Sequence, residues 1–355
     1  MKCSLFFEMQ SATPRGGGEA QVFHQAVEQA VLADQLGYHG IWAVEHHGLY
    51  QYSHSSAPEV FLSFVAARTK RIRLGHGVAL LPFAYNHPIR VAERIATLDI
   101  LSEGRVNFGT GKGASLLEQR AFGLNPSDLT PQWEEALRMI MQMWSAESFE
   151  YQSETFSIPK MQILPRPVQQ PHPPLFVACT SAGSLKRAGE LGLGALNFSF
   201  GTQAELAARI AEYRAAIAKA APIGQQVNSH FACAPAALIL PNDKEACRYG
   251  FRGAQYFADS LDHYTKNWQP GAALNPRTDF LPDDKLQGAM AFRRRDDNAF
   301  NVLCGDPIYA REYISRFAAL GVDELILVMQ MGTVPPELVL QSVLTFGEQV
   351  LPHIA

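Results

Sequence analysis

The chain has 355 residues, a formal net charge of −4 and an apolar share of 47%, the composition of a globular protein with a large core. The mild acidic balance points away from a nucleic-acid partner, and no apolar run approaches the roughly 20 residues of a membrane span. No signal-peptide h-region opens the chain, and its five scattered cysteines (Cys3, Cys179, Cys233, Cys247 and Cys304) form no CxxC pair, so a cytoplasmic, thiol-reduced protein without zinc or disulfides is expected.

Residues 4–8 form the first predicted strand. A helix follows over 19–36, with Val22, Ala26, Val27, Ala30, Val31 and Ala33 at helical spacing and Gly37 as its stop. A second strand over 40–44 runs directly into Glu45-His46-His47. Further strands are predicted over 72–79, 105–109, 174–178, 194–199, 230–238 and 324–329. Helices are predicted over 88–101, 132–144, 184–191, 203–219, 307–320 and 335–350. Several strands are continuous apolar runs, as parallel strands covered on both faces are. Eight strands alternating with about eight helices predict an α/β (β/α)8 barrel built from the whole chain as one domain; an open sheet with an accessory domain is the competing architecture.

Two segments break the rhythm. Residues 148–173, with alternating Phe149, Tyr151, Phe156 and Ile158, read as an inserted hairpin and a proline-rich loop. Residues 249–301, with Pro270, Pro276 and Pro282, read as a long irregular lid-like insertion before the last helix–strand unit. The basic run Arg293-Arg294-Arg295 reads as a solvated loop, because Asp296-Asp297 follows at once.

In a barrel, chemistry sits at the carboxyl ends of the strands. Glu45-His46-His47 falls there, and imidazole suits proton transfer near neutral pH; a hydrogen-bonded loop is the plain alternative. Three more loops share that rim. In Gly75-His76-Gly77-Val78, glycines let the backbone approach a flat ligand or simply pack a strand end. In Gly109-Thr110-Gly111-Lys112-Gly113, backbone N–H groups and one ammonium offer an anion cradle, although neither P-loop nor Rossmann spacing is present. Thr180-Ser181-Ala182-Gly183-Ser184 opens a helix, where hydroxyls cap free N–H groups and also build a phosphate site. Cys179 adjoins a buried strand and is discounted as a nucleophile. No metal-ligand spacing is present.

In this order and spacing, these motifs resemble the bacterial luciferase-like, flavin-dependent monooxygenases along nearly the whole chain. The segments that carry the resemblance are Trp42 to His47, Leu81-Pro82 through His87-Pro88, Ser102-Glu103-Gly104-Arg105, Phe108-Gly109, Lys112-Gly113, Phe122-Gly123, Ala178 to Ser184 and Gly305-Asp306-Pro307. The resemblance implies a barrel, usually dimeric, that takes reduced FMN from a separate flavin reductase. It implies O2 activation as a flavin C4a-peroxide and oxygenation of a small apolar or aromatic substrate.

By position, His46 matches the family's active-site histidine, with Glu45 and His47 as its support. Lys112 on one side, and Thr180, Ser181, Ala182 and Ser184 on the other, fall at the FMN phosphate. Gly77-Val78 falls where the family often has a non-proline cis peptide under the flavin ring, and Asn107 is counted with the cofactor contacts. Gly111 stands where luciferase has a reactive cysteine, so no thiol role carries over. Gln132 replaces an arginine common before the Trp133-Glu134-Glu135 helix, which weakens the phosphate grip or shifts it to Lys112. A deazaflavin-dependent dehydrogenase on the same scaffold, or a non-catalytic flavin-binding protein, is the alternative.

Overall fold

The computed structural model describes residues 1–197, 201–295 and 302–354; of Ala182 only the backbone is described. The chain begins β1 (Lys2–Phe7), α1 (Gly18–Leu36), β2 (Gly40–Ala43), α2 (Pro58–Ala66), β3 (Arg73–His76), β4 (Ala79–Leu80), α3 (Pro88–Leu101) and β5 (Val106–Gly111). It continues with α4 (Leu116–Ala121), α5 (Leu129–Ser145), the hairpin β6 (Phe149–Gln152) and β7 (Ser157–Met161), β8 (Leu175–Cys179), α6 (Ala182–Glu190), β9 (Gly194–Asn197) and α7 (Gln203–Ile217). Then come β10 (Phe231–Cys233), β11 (Ala236–Ile239), α8 (Asp243–Asp262), a π-helical turn (His263–Asn267), α9 (Asp283–Phe292), β12 (Val302–Gly305), α10 (Pro307–Ala319), β13 (Glu324–Leu327) and α11 (Pro336–Gln349).

Eight parallel strands close on themselves in the order β1-β2-β3-β5-β8-β9-β10-β13, with β13 back beside β1 and β3 beside β5. This is the predicted (β/α)8 barrel, and each of the eight predicted strands contributes one stave. The predicted strand over 194–199 ends at Asn197 among the described residues; Ser199 lies outside them, as do the last six residues of the predicted 249–301 insertion.

The structure corrects four expectations. The strand over 72–79 is broken after His76, and β4 lies against β5 with Ala79 opposite Thr110. The strand over 230–238 divides at Pro235, whose ring removes a ladder donor; β11 leaves the barrel to pair with β12. The 249–301 insertion is largely helical, because α8 buries Ala246, Gly250, Gly253, Tyr256, Phe257 and Ser260 along one face. Arg293 is buried, not solvated: its guanidinium is bidentate on Asp243, at 2.7 and 2.6 Å, and lies 4.1 Å from the Tyr309 ring centroid.

The lower barrel is plugged. Trp42 points inward, its indole N–H donates to Glu324 at 2.9 Å, and its ring meets Phe176 edge-on at 5.0 Å. Gly75 makes room for it, since a Cβ there would lie 2.3 Å from the indole. Outside, α5 seats Trp133, Ala136, Leu137, Ile140 and Trp144 in the core. Burial of side chains this large contributes about 2 kcal/mol each. With the interior filled below, the chain's polar chemistry collects at the carboxyl rim.

Candidate active site

β2 delivers Glu45-His46-His47 to the rim. The His46 backbone is fixed by its N–H to the Ser55 carbonyl at 2.9 Å, and the Ser55 hydroxyl donates to Val44 at 2.7 Å. The imidazole is 19% exposed. Its Nδ1 lies 3.2 and 3.3 Å from the two Glu118 oxygens, and its Nε2 lies 3.9 Å from Glu8 Oε2. Burial disfavours the charged ring, but Glu118, Glu8 and Glu45 more than offset it, and His46 titrates at about 9. Glu118 also accepts the His47 N–H at 2.6 Å. Glu8 accepts from Tyr52 at 3.0 Å, while its Oε2 is buried with no hydrogen-bond partner. Burial raises the Glu8 pKa, partly countered by His46.

Glu118 and Glu8 carry no signal in a motif search. Glu118 sits 72 residues from His46 on a short amphipathic stretch. Glu8 was visible only as the last residue of the first predicted strand, at the same rim as Glu45.

Glu45 and His47 flank His46 on the same loop. Glu45 is 7% exposed and accepts from the Leu80 N–H at 2.7 Å and the Asn86 amide at 2.8 Å. His47 lies 3.4 Å from Glu45 and stacks on Tyr85. His76, on the next stave, is buried; desolvation brings it down to about 4, so it is neutral where His46 is charged.

The Gly77-Val78 bond is cis. Both residues are partly exposed between buried His76 and Ala79 and form an accessible floor, with the Gly77 N–H donating to the Ala43 carbonyl at 2.8 Å on the strand that leads to His46. The floor depends on the glycines of β5: a Cβ at Gly109 would lie 2.0 Å from the His76 carbonyl oxygen, and one at Gly111 would lie 2.2 Å from a Val78 methyl.

The two candidate anion elements leave adjacent staves, since β5 pairs with β8 with Thr110 opposite Val177. The Lys112 ammonium meets the Thr130 hydroxyl at 3.3 Å and the Trp133 face at 5.6 Å. Ser181 caps α6: its hydroxyl accepts from the Ser184 N–H at 3.3 Å, and Ser184 returns the bond at 3.1 Å. Thr180 and Ser181 are exposed. Gln132 accepts the Phe83 N–H at 3.1 Å. Asn107 lies lower in the barrel, with its amide oxygen held by Arg73 at 2.7 Å. Cys179 is buried with its thiol pushed up to about 12 by desolvation. No cluster of metal-ligating side chains occurs among the described residues.

The end of α8 and the π-helical turn pack beside this rim. The π-helical turn packs against α4, which carries Glu118. Tyr264 and Tyr256 donate to the Tyr50 and Gln51 carbonyls at 2.8 and 3.2 Å, and the Tyr52 ring makes tilted contacts with Phe257, Tyr264 and His46. Tyr256, Phe257 and Tyr264 thus dock this segment on the loop beside His46.

The family model for luciferase-like monooxygenases matches residues 1–324. The chain belongs to that family. A curated relative, the oxygenase component of a flavin-dependent trigonelline monooxygenase from Acinetobacter baylyi, is 32% identical over 52% of this chain and 50% of its own length. An F420-dependent glucose-6-phosphate dehydrogenase from Kineococcus radiotolerans is 34% identical over 46% of this chain and 49% of its own. The match thus spans about half the length of these relatives. The crystal structure of monooxygenase RslO1 from Streptomyces bottropensis superposes with a TM-score of 0.83 at 24% identity, covering all of both chains; this likeness shows the fold. No helix among the described residues is long and apolar enough to cross a membrane.

Proposed function

We propose that this luciferase-like chain is a reduced-FMN-dependent monooxygenase acting on a small apolar or aromatic organic compound, with its reduced flavin supplied by a separate reductase. The observation that carries this reading is a juxtaposition on one rim: the His46 imidazole between Glu118 and Glu8, the Gly77-Val78 floor, and Lys112 across from the start of α6. Gly109 and Gly111 let β5 pack directly against that floor, because a Cβ at either position would meet His76 or Val78. The orphaned Glu8 oxygen fits a site that completes its bonding with a ligand.

In this reading Lys112, Thr180, Ser181 and Ser184 hold the FMN phosphate by charge and helix-end donors. Gly77 and Val78 support the ring. Reduced FMN, when bound, would supply the two electrons with which one atom of O2 goes to substrate and the other leaves as water. His46, charged at neutral pH, carries a proton on both ring nitrogens beside that chemistry, and Glu118, facing Nδ1, fixes the ring's orientation. The lid and the Tyr52 cluster exclude water, and their rings supply an apolar wall for substrate. Val60 and Phe64 of α2, exposed at 66% and 56%, offer a face for the homodimer that the resemblance implies. The cytoplasm is the proposed compartment, since all five cysteines are free thiols.

The test pairs binding with turnover. FMN and the deazaflavin F420, whose tails differ in length, are titrated against the flavin-free protein; FMN binds tighter in this reading. His46→Ala then keeps FMN binding but loses oxygenated product per reduced FMN consumed. Preference for F420 favours the dehydrogenase reading, and unchanged coupling in His46→Ala refutes the role given to His46.

A further inference from the structure

Below the floor lies a polar network that no part of this reading uses. Leu80 ends the segment that begins at Gly77, and both its backbone groups are taken by side chains. Its N–H donates to Glu45 Oε2 at 2.7 Å, and its carbonyl accepts from Asn86 Nδ2 at 2.9 Å. The same Asn86 Nδ2 donates to Glu45 Oε1 at 2.8 Å. One amide thus joins the carboxylate beside His46 to the backbone of the floor.

The orientation of that amide is not free. Asn86 Oδ1 accepts from Arg94 Nη2 at 2.6 Å, and arginine has no acceptor, so the oxygen must face Arg94 and the NH2 must face Glu45 and Leu80. Arg94 is itself held by Glu59 of α2 at 2.6 Å. The space between Glu45, Glu59, His76, Asn86 and Arg94 amounts to about 10 Å3, room for a single water at most. Such a space binds no organic ligand, so the cluster is a brace rather than a second site. Its bonds are charge-assisted and mostly shielded from solvent, the class that holds geometry most firmly.

We infer that Asn86, oriented by Arg94, is a positioning residue that sets the Gly77–Leu80 floor against His46 and thereby the seat of the flavin ring. The inference rests on the flavin reading above. Asn86 touches neither substrate nor cofactor; it acts through Leu80 and Glu45.

The test uses Asn86→Asp, which keeps size but turns both donated bonds into repulsions, and Arg94→Ala, a half-exposed position whose loss frees the Asn86 amide to turn. Amide hydrogen exchange of the peptide spanning 77–82 is followed in the flavin-free chain, with the β1 peptide as internal control. Exchange at 77–82 rises about tenfold or more in Asn86→Asp and about threefold in Arg94→Ala, while β1 is unchanged. FMN affinity, read by fluorescence quenching, falls about tenfold and about threefold in the same order. Wild-type exchange at 77–82 in both variants overturns the brace, and so does faster exchange with unaltered FMN affinity. A wild-type chain that takes no FMN overturns the flavin reading instead, and the exchange data still decide the brace.

Discussion

Glu118→Gln isolates the electrostatics of the site. The substitution keeps the side chain's shape and an acceptor for the His47 N–H, but removes the negative charge 3.2 Å from His46. Two unit charges at that separation interact by about 5 kcal/mol at an effective dielectric of about 20. Part of this offsets the burial of the ring, and Glu8 still faces Nε2 at 3.9 Å. The titration of His46 should therefore fall by about 2 units from its value of about 9. Nuclear magnetic resonance of histidine ring carbons, assigned with His46→Gln, reads this directly in the flavin-free protein.

Stability gives a second readout. A histidine whose folded pKa is raised binds its proton more tightly folded than unfolded. Its contribution is fully present below about 6.5 and is lost as pH rises to about 9. Its upper bound is about 3 kcal/mol, from about 1.4 kcal/mol per unit. Wild-type chemical denaturation should weaken across that window, and Glu118→Gln should flatten the slope. The groups facing His46 are Glu118 on α4, Glu8 after β1, Glu45 on its own loop and the Tyr52 hydroxyl, and Glu8, whose pKa is also raised, acts in the same sense at lower pH. A wild-type His46 that titrates near 6.5, or one that does not move in Glu118→Gln, refutes the reasoning.

Two further outcomes follow from the packing. Gly109→Ala places a Cβ 2.0 Å from the His76 carbonyl oxygen, where only backbone can yield, whereas Gly111→Ala meets a Val78 methyl; thermal or urea unfolding should show a loss of about 3 kcal/mol or more for the first and about 1–2 kcal/mol for the second, with the second weakening FMN binding as the floor shifts. Glu324, fully buried, is opposed by desolvation yet held down to about 2 by His230, which lies at 2.9 Å. Stability from this depressed carboxylate is present above about 4.5 and is lost as pH falls toward 2, by up to about 3 kcal/mol; Glu324→Gln should remove that acid sensitivity in denaturation at pH 2–5.

The barrel was legible because its staves are continuous apolar runs, a pattern that demands cover on both faces. What was missed has identifiable causes. Helix α2 was not seen because Val60 and Phe64 point outward and blur the helical stripe. Helix α8 was taken for irregular chain because Pro270, Pro276 and Pro282 set the reading of the whole segment, yet they lie after the helix, whose Gly250 and Gly253 are buried. In the structure the two glycines are contact points: a Cβ at Gly250 would lie 2.3 Å from Cys304 Sγ, and one at Gly253 would lie 2.6 Å from Val334. The division of the 230–238 strand was available in the sequence, since Pro235 stands within it. Glu118 was not, because a lone glutamate early in a short helix looks like a solvated residue until the fold carries it to His46. Arg293 misled for the opposite reason: its neighbours in sequence are charged, while its partner Asp243 lies 50 residues away.

Three histidines share the rim, and their environments divide them in a way that sharpens the role of His46. His76 is desolvated and brought down to about 4, so it is neutral through the physiological range. His47 stacks against Tyr85 and faces Glu45. Only His46 has carboxylates at both ring nitrogens, and it titrates at about 9. A histidine near its ordinary pKa would suit a general base, half of it free to accept a proton near neutral pH. At about 9, nearly every copy enters the reaction protonated, so in the proposed chemistry the group is a donor and a fixed positive charge. An anionic reduced cofactor would deepen that preference, because a further negative charge nearby favours the imidazolium. The pH dependence of oxygenation therefore falls on the alkaline side, as His46 loses its proton. In Glu118→Gln the alkaline limb should move toward neutral pH, and a profile whose acid limb moves instead would assign His46 the role of base.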